Sequence, residues 1–251
     1  MIKRPFVLSG GGARGFAHIG VLKAFAEAGI YPEAISATSA GAMVGALIAS
    51  GYTAEEVHAM AADSRFFKLF SKTTFTSFRL SNEPLAEFLD HHLRYKTFEQ
   101  LPIPFFVAAT NLITGQQSIF NSGPILPAVL AACAVPFIFE DVYINNVPHA
   151  DGGMTNNLPV EPLLDHYTNI FGVYVNPLPD FNEKAALGES IDRMMHLLLR
   201  ENVLRSIAKC SVLIEPPNLK HYRMFEEKKK EQIITEGYNY TQSFLQAHAV
   251  K

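Results

Sequence analysis

Apolar positions in the first half of the chain fall into short runs bounded by glycine, proline and serine, and longer alanine-rich stretches separate those runs. Residues 5–9 predict a short buried strand, and 16–28 a helix that Gly29 stops from the C′ position. AISAT at 34–38 predicts a second strand, turning abruptly into the helix AGAMVGALIAS at 40–50, which ends at Gly51. TAEE at 53–56 is a capping box opening a third helix. Residues 64–80 show no period and are rich in phenylalanine, after which Ser81 caps a helix running to about Tyr95. FFVAATN at 105–111 predicts a strand, a turn at Thr114 and Gly115 leads to a returning strand at 116–120, and a small-residue helix follows at 124–134. Residues 141–150 predict a hairpin with Asn145 and Asn146 at its tip. A buried strand at 169–175, a long helix at 188–208, the strand SVLIE and a mostly polar helix at 221–249 complete the chain.

Strands alternating with helices imply an α/β fold, a three-layer α/β/α arrangement around a mainly parallel central sheet. A length of 251 residues suits one large domain. With 48% hydrophobic and 18% charged residues, the chain has ample material for a core. A net charge of −3 leaves no basic surplus for nucleic acid. Cys133 and Cys210 lack a CxxC spacing and read as buried thiols in a reducing compartment, so neither a disulfide framework nor a metal site is expected. The apolar run near the N-terminus stops at Leu8, too soon for a secretory signal, and no stretch reaches the ~20 apolar residues of a membrane span. A cytoplasmic protein is expected, with any membrane contact peripheral. The charge run at 226–231 reads as a solvated helix face.

The loop VLSGGGARGF at 7–16 brings the backbone close to a partner. Gly10, Gly12 and Gly15 fit G-x-G-x-x-G, the dinucleotide fingerprint. That reading needs an acid ending the second strand, roughly 20 residues on, to hold a ribose. Here the strand ends in Ala37, Thr38 and Ser39, and no GK[ST] follows for a Walker loop. ISATSAGAM instead approximates the G-x-S-x-G elbow, which lifts a serine hydroxyl to a helix N-terminus. Ala37 replaces the first glycine, and Ala40 and Gly41 follow the serine; an ordinary serine cap gives the same pattern. Two such elements together favour acyl transfer, whose transition-state oxyanion needs backbone N–H donors beside the nucleophile. The opening of a helix supplies such donors and a favourable dipole.

None of the nine histidines has a compelling setting. His18 lies inside the first helix, His91 and His92 on an exposed one, and His149 just ahead of Asp151. Asp151, Gly152 and Gly153 form a DGG turn that in isolation is a common structural feature. GGGARG at 10–15, ATSAGA at 37–42 and ADGGMTNNLPV at 150–160, in that order, with AACAVPFIF at 131–139 ahead of the last, resemble the patatin-like phospholipases. The resemblance covers about residues 5–160 and extends toward 175, the motif-bearing core of a single domain over 1–251 whose helical C-terminal part spans about 188–251. It implies a Ser39–Asp151 dyad with an oxyanion loop of Gly10, Gly11, Gly12, Ala13, Arg14 and Gly15 together with Ala40. It further implies hydrolysis of a lipid or other ester through an acyl-enzyme, without metal or cofactor. Ala37 at the usual glycine, and Ala132 and Cys133 where serine is common, depart from the pattern at positions that bear on substrate fit. An acyltransferase or thioesterase could use the same dyad, and a lipid-binding regulatory protein could use the same scaffold.

Arg14 reads first as a brace for the glycine loop, second as a site for an anionic head group. In 64–80, five phenylalanines (Phe66, Phe67, Phe70, Phe75, Phe78) interleave with Arg65, Lys68, Lys72 and Arg79. They read either as a loop tucked on the core or as a cover that meets an acyl chain and anionic head groups.

Overall fold

The computed structural model describes residues 1–62, 79–181, 183, 187–224 and 226–248. Strands Ile2–Leu8 (β1), Ile30–Ala37 (β2) and Phe105–Asn111 (β3) lie side by side in parallel. Gln117–Phe120 (β4) and the hairpin of Val142–Ile144 (β5) and Val147–Asp151 (β6) extend β3 with antiparallel partners. Beyond β1, Phe171–Val173 (β7) and Val212–Ile214 (β8) continue the sheet in parallel. Its order is β5-β6-β3-β2-β1-β7-β8, with β4 also on β3.

The central strand shows why there are three layers. Successive side chains of a strand point to opposite faces. Phe6 and Leu8 of β1 enter a large core with helices Ala17–Glu27 (α1), Ser39–Ala49 (α2), Ala54–Ala62 (α3), Glu83–His92 (α4) and Ile125–Cys133 (α5). Val7, between them, enters a second core with Leu158, Leu163 and Val203 of helix Leu187–Ile207 (α6). The C-terminal helix Lys230–Ala247 (α7) returns to the first face and adds Ile233 and Ile234 to its core.

The caps follow the sequence reading. Gly29 and Gly51 end α1 and α2 with φ of +76° and +87°. Thr53 and Glu56 exchange the two bonds of a capping box, and Asn145 and Asn146 turn the β5–β6 hairpin with positive φ. Strands β1 and β2 start earlier than their apolar runs, because pairing continues to Ile2 and Ile30 past the pairs of Lys3 with Tyr31 and Arg4 with Pro32, which interrupt the apolar signal. Helix α4 stops at His92, where Leu93 turns extended, so the helix to Tyr95 is corrected.

A helix from 221 is corrected too. The carbonyls of Tyr222 and Met224 accept bonds from Arg14 and Ala13, which pulls this segment out of helical geometry, and α7 starts only at Lys230. Within the charge run, Lys230 is buried and its Nζ donates to the Ala61 carbonyl at 2.6 Å, so that residue is no solvated face. Of the phenylalanine-rich stretch 64–80, only Arg79 and Leu80 fall among the described residues. No helix of the described residues is long and apolar enough to cross a membrane.

Candidate active site

Ser39 stands where β2 turns into α2. Thr38 before it is extended, while Ser39 itself has φ +50°, a left-handed conformation that is costly for a residue with a side chain and recurs at functional sites. The turn is fixed from both sides. Thr38 Oγ1 donates to the Ala108 carbonyl on β3 at 2.9 Å, and a side chain at Gly41 would run into the Leu8 carbonyl at 2.5 Å. Crowding at this elbow falls on Gly41, whereas Ala37 lies buried in the sheet between Leu8 and Val107, which accounts for the tolerated methyl.

Asp151 ends β6, opposite Ala109 of β3, and its backbone N–H donates to the Ala134 carbonyl at 2.9 Å. Its Oδ1 accepts the Gly153 N–H at 2.8 Å, and the Ser39 hydroxyl is within hydrogen-bonding reach of the carboxyl. Burial pushes the Asp151 pKa up to about 6, against the lowering influence of the nearby Ser39 hydroxyl and of the Gly153 N–H. Residues from opposite ends of the first 160 thus meet as a hydroxyl beside a carboxyl poised near neutrality.

The glycine loop lies beside them. The Gly10 carbonyl is held by Asn176 Nδ2 at 2.6 Å, and Gly12 has φ +54°. Gly15 packs on Ala40 and Gly152 on the Ala108 carbonyl too closely for a side chain at either. Among the described residues no hydrogen bond engages the N–H groups of Gly11, Gly12 or Ala40. Two other amides of the expected oxyanion set are spent: Ala13 N–H donates to the Met224 carbonyl at 2.7 Å and Arg14 N–H to the Gly11 carbonyl at 3.1 Å. An amide already bonded within the protein cannot receive an incoming oxyanion.

From Ser39 an apolar pocket runs between α2, α3 and α4, with Met43, Leu47, Met60, Leu85 and Phe88 on its walls and Gly12 and Cys133 at the serine end. Ser39, Met43 and Leu47 share one stripe of α2, so this wall is about 12 Å long at 1.5 Å per residue. The Cys133 thiol donates to the Ser39 carbonyl at 3.3 Å, and burial holds its pKa well above the usual thiol range, so it stays neutral.

The model of the patatin-like phospholipase family matches residues 6–164. The chain belongs to that family. An NTE family protein of Mycobacterium tuberculosis is 34% identical over 158 residues, 62% of this chain and 44% of that protein. Lysophospholipase NTE1 of Kluyveromyces lactis is 26% identical over 275 residues, 96% of this chain and 19% of its own length. The chain therefore spans less than half the length of these curated relatives. VipD from Legionella pneumophila superposes with a TM-score of 0.65 at 16% identity, over 98% of this chain and 67% of that one, and shares the three-layer fold.

In this patatin-like chain Arg14 is a brace. It is 1% exposed, and its guanidinium donates to the carbonyls of Tyr222 at 2.7 Å and Pro177 at 3.3 Å and contacts His196 Nδ1 at 3.3 Å. It ties the glycine loop to segments far along the chain. His18 and His149, the histidines nearest the site motifs in sequence, are engaged elsewhere. His18 Nε2 pairs with the Ser9 carbonyl at 2.8 Å, and burial lowers its pKa to about 4, so it is neutral near pH 7. His149, on the strand of Asp151, directs its ring nitrogens to the Val147 carbonyl and to Ser118 Oγ. Sequence reasoning passed over Asn157 and Asn176, which pack on the glycine loop. The asparagine pair in TNNLP was the available signal for the first; Asn176 had none.

Proposed function

We propose that this protein is a serine acyl hydrolase of the phospholipase A or lysophospholipase type, acting through Ser39 and Asp151. The observation that carries this reading is Ser39 itself, in a left-handed elbow with its hydroxyl in reach of the buried Asp151 carboxyl. Above about pH 6 the carboxylate is ionised and accepts the Ser39 proton as Oγ attacks the ester carbonyl carbon. The carbonyl π pair becomes an oxyanion received by the N–H groups of Gly11, Gly12 and Ala40, which no described residue engages, each such donor contributing about 3 kcal/mol. Collapse expels the alcohol or lysolipid, which takes the proton from Asp151, and leaves an ester on Ser39. Water, deprotonated by Asp151, then attacks the acyl carbonyl, and collapse releases the fatty acid as Ser39 Oγ takes the proton back from Asp151. The pocket along α2 is lined for a single acyl chain, which supports a lipid ester as substrate. We take the whole of 1–251 as the unit that does this.

A series of p-nitrophenyl esters of rising chain length, followed by lysophospholipid and phospholipid, tests the reading. Turnover that rises with chain length and vanishes in Ser39→Ala is expected. Binding of lipid without hydrolysis of any ester between pH 5 and 9 would mark a lipid-binding module instead. Acyl transfer to an added acceptor in preference to water would mark an acyltransferase.

A further inference from the structure

The neighbouring asparagines Asn156 and Asn157 end in different surroundings. Asn156 is fully used: its Nδ2 donates to Glu161 at 2.7 Å, and its Oδ1 accepts from the Leu158 N–H at 3.0 Å and from Ser206 Oγ at 3.3 Å. Asn157 is 1% exposed, and its Nδ2 has no hydrogen-bond partner among the described residues. Its side-chain end occupies the space left by two missing side chains. Oδ1 is 2.5 Å from where a Cβ on Gly10 would stand and 2.7 Å from where one on Gly153 would stand. The same Gly10 position meets Ser39 Cβ at 2.9 Å and Oγ at 3.5 Å, and the same Gly153 position meets Asp151 Oδ1 at 3.0 Å. Through two glycines, one amide touches the surroundings of both members of the pair. It is also held in place, since Asn157 N–H donates to Asn202 Oδ1 at 3.0 Å while Asn202 Nδ2 donates to the Gly153 carbonyl at 2.7 Å.

A buried NH₂ group without an acceptor costs on the order of 1–3 kcal/mol. The two ends of an amide have the same shape, so a half-turn of the side chain exchanges them at no steric cost. After that turn the NH₂ enters the space shared with Ser39 and Asp151, where carboxylate and hydroxyl lone pairs are available. The oxygen takes the unpartnered side, where a lone acceptor is the milder loss. Resting on the serine hydrolase reading, we infer that Asn157 is a positioning residue whose side-chain NH₂ holds the Asp151 carboxylate and Ser39 oxygen in register.

The other titratable groups around Asp151 do not compete for this role. The Cys133 thiol of α5 is pushed up by its own burial and then by the Asp151 charge, so it stays neutral and puts no charge beside the carboxyl. His149 on β6 is turned to Ser118, and Arg14 is bonded to Tyr222 and Pro177. From α6, Arg200 pairs with Glu215.

The test is the pH–rate profile of a soluble short-chain ester for wild type, Asn157→Leu and Asn157→Ala, with melting temperatures alongside. Leucine removes the polar ends and keeps the volume; alanine removes them without crowding and stands in if leucine does not fold. Loss of a donor to the charged carboxylate moves the acid limb up by about half to one pH unit. kcat drops about 10- to 100-fold with KM within about twofold, as for a misplaced catalytic group. An acid limb unmoved or lowered in the folded variants overturns the role of Asn157 alone. Absence of Ser39-dependent turnover in the wild type overturns the hydrolase reading and this inference with it.

Discussion

A carboxyl enclosed by β6, α5 and the elbow costs the fold stability wherever it is ionised, which is also where the proposed mechanism needs it as a base. The Asp151 pKa of about 6 in the folded state, against about 4 unfolded, corresponds to about 3 kcal/mol. The sign follows from proton binding: a folded pKa above the unfolded one gives stability that is whole below pH 4 and lost as pH rises through 6. Asp151→Asn keeps the shape without the charge, so it should raise urea stability by about 2–3 kcal/mol at pH 8 and leave it unchanged at pH 4. Its turnover should fall about 10²- to 10⁴-fold. His149→Gln should retain most activity, because one ring nitrogen meets the Val147 carbonyl of its own strand, the other meets Ser118 of β4, and neither meets Ser39; loss of activity comparable to Asp151→Asn would point to a histidine base. The elbow at Ser39 and the turn at Asp151 were legible because their motifs are local, a serine at a strand–helix junction and an aspartate before two glycines. The occupied Ala13 amide was not legible, since its acceptor, Met224, lies more than 200 residues along the chain.

At the scale of elements, α2 carries both Ser39 and the long wall of the pocket, so on the proposed reading one helix face sets the preferred acyl-chain length. Leu47→Phe adds bulk two turns from Ser39 and should shorten the preferred acyl chain while leaving turnover of an acetyl or butyryl ester within about threefold. An unchanged preference would place the acyl chain outside this pocket. The glycine loop depends on elements that the family motifs do not include. Arg14→Met leaves the Tyr222 and Pro177 carbonyls without their donor, at about 1–3 kcal/mol each, and should lower both the melting temperature and the acylation rate. Element boundaries were legible where a cap marked them, as at Gly29, Gly51 and Thr53. They were misread at Ile2, at Tyr95 and at 221–229, where pairing partners or distant carbonyl bonds decide the conformation and leave no local trace.

Over the whole molecule, one sheet with a core on each face brings together a loop after β1, an elbow after β2 and a turn after β6. The order of strands and helices, and hence the three-layer fold, was readable from alternating apolar runs. The antiparallel edge was foreshadowed by the hairpin signal at Asn145 and Asn146. What one chain's pattern does not contain is which loops meet, because adjacency in the sheet is set by long-range pairing. The central claim is that this assembly makes Ser39 a nucleophile with Asp151 as its base, and active-site labelling measures that most directly. A fluorophosphonate probe, followed by peptide mapping, should mark Ser39 in the wild type, leave Ser39→Ala unmarked and react far more slowly with Asp151→Asn. Equal labelling of wild type and Ser39→Ala, or a label mapped to another residue, would contradict the account.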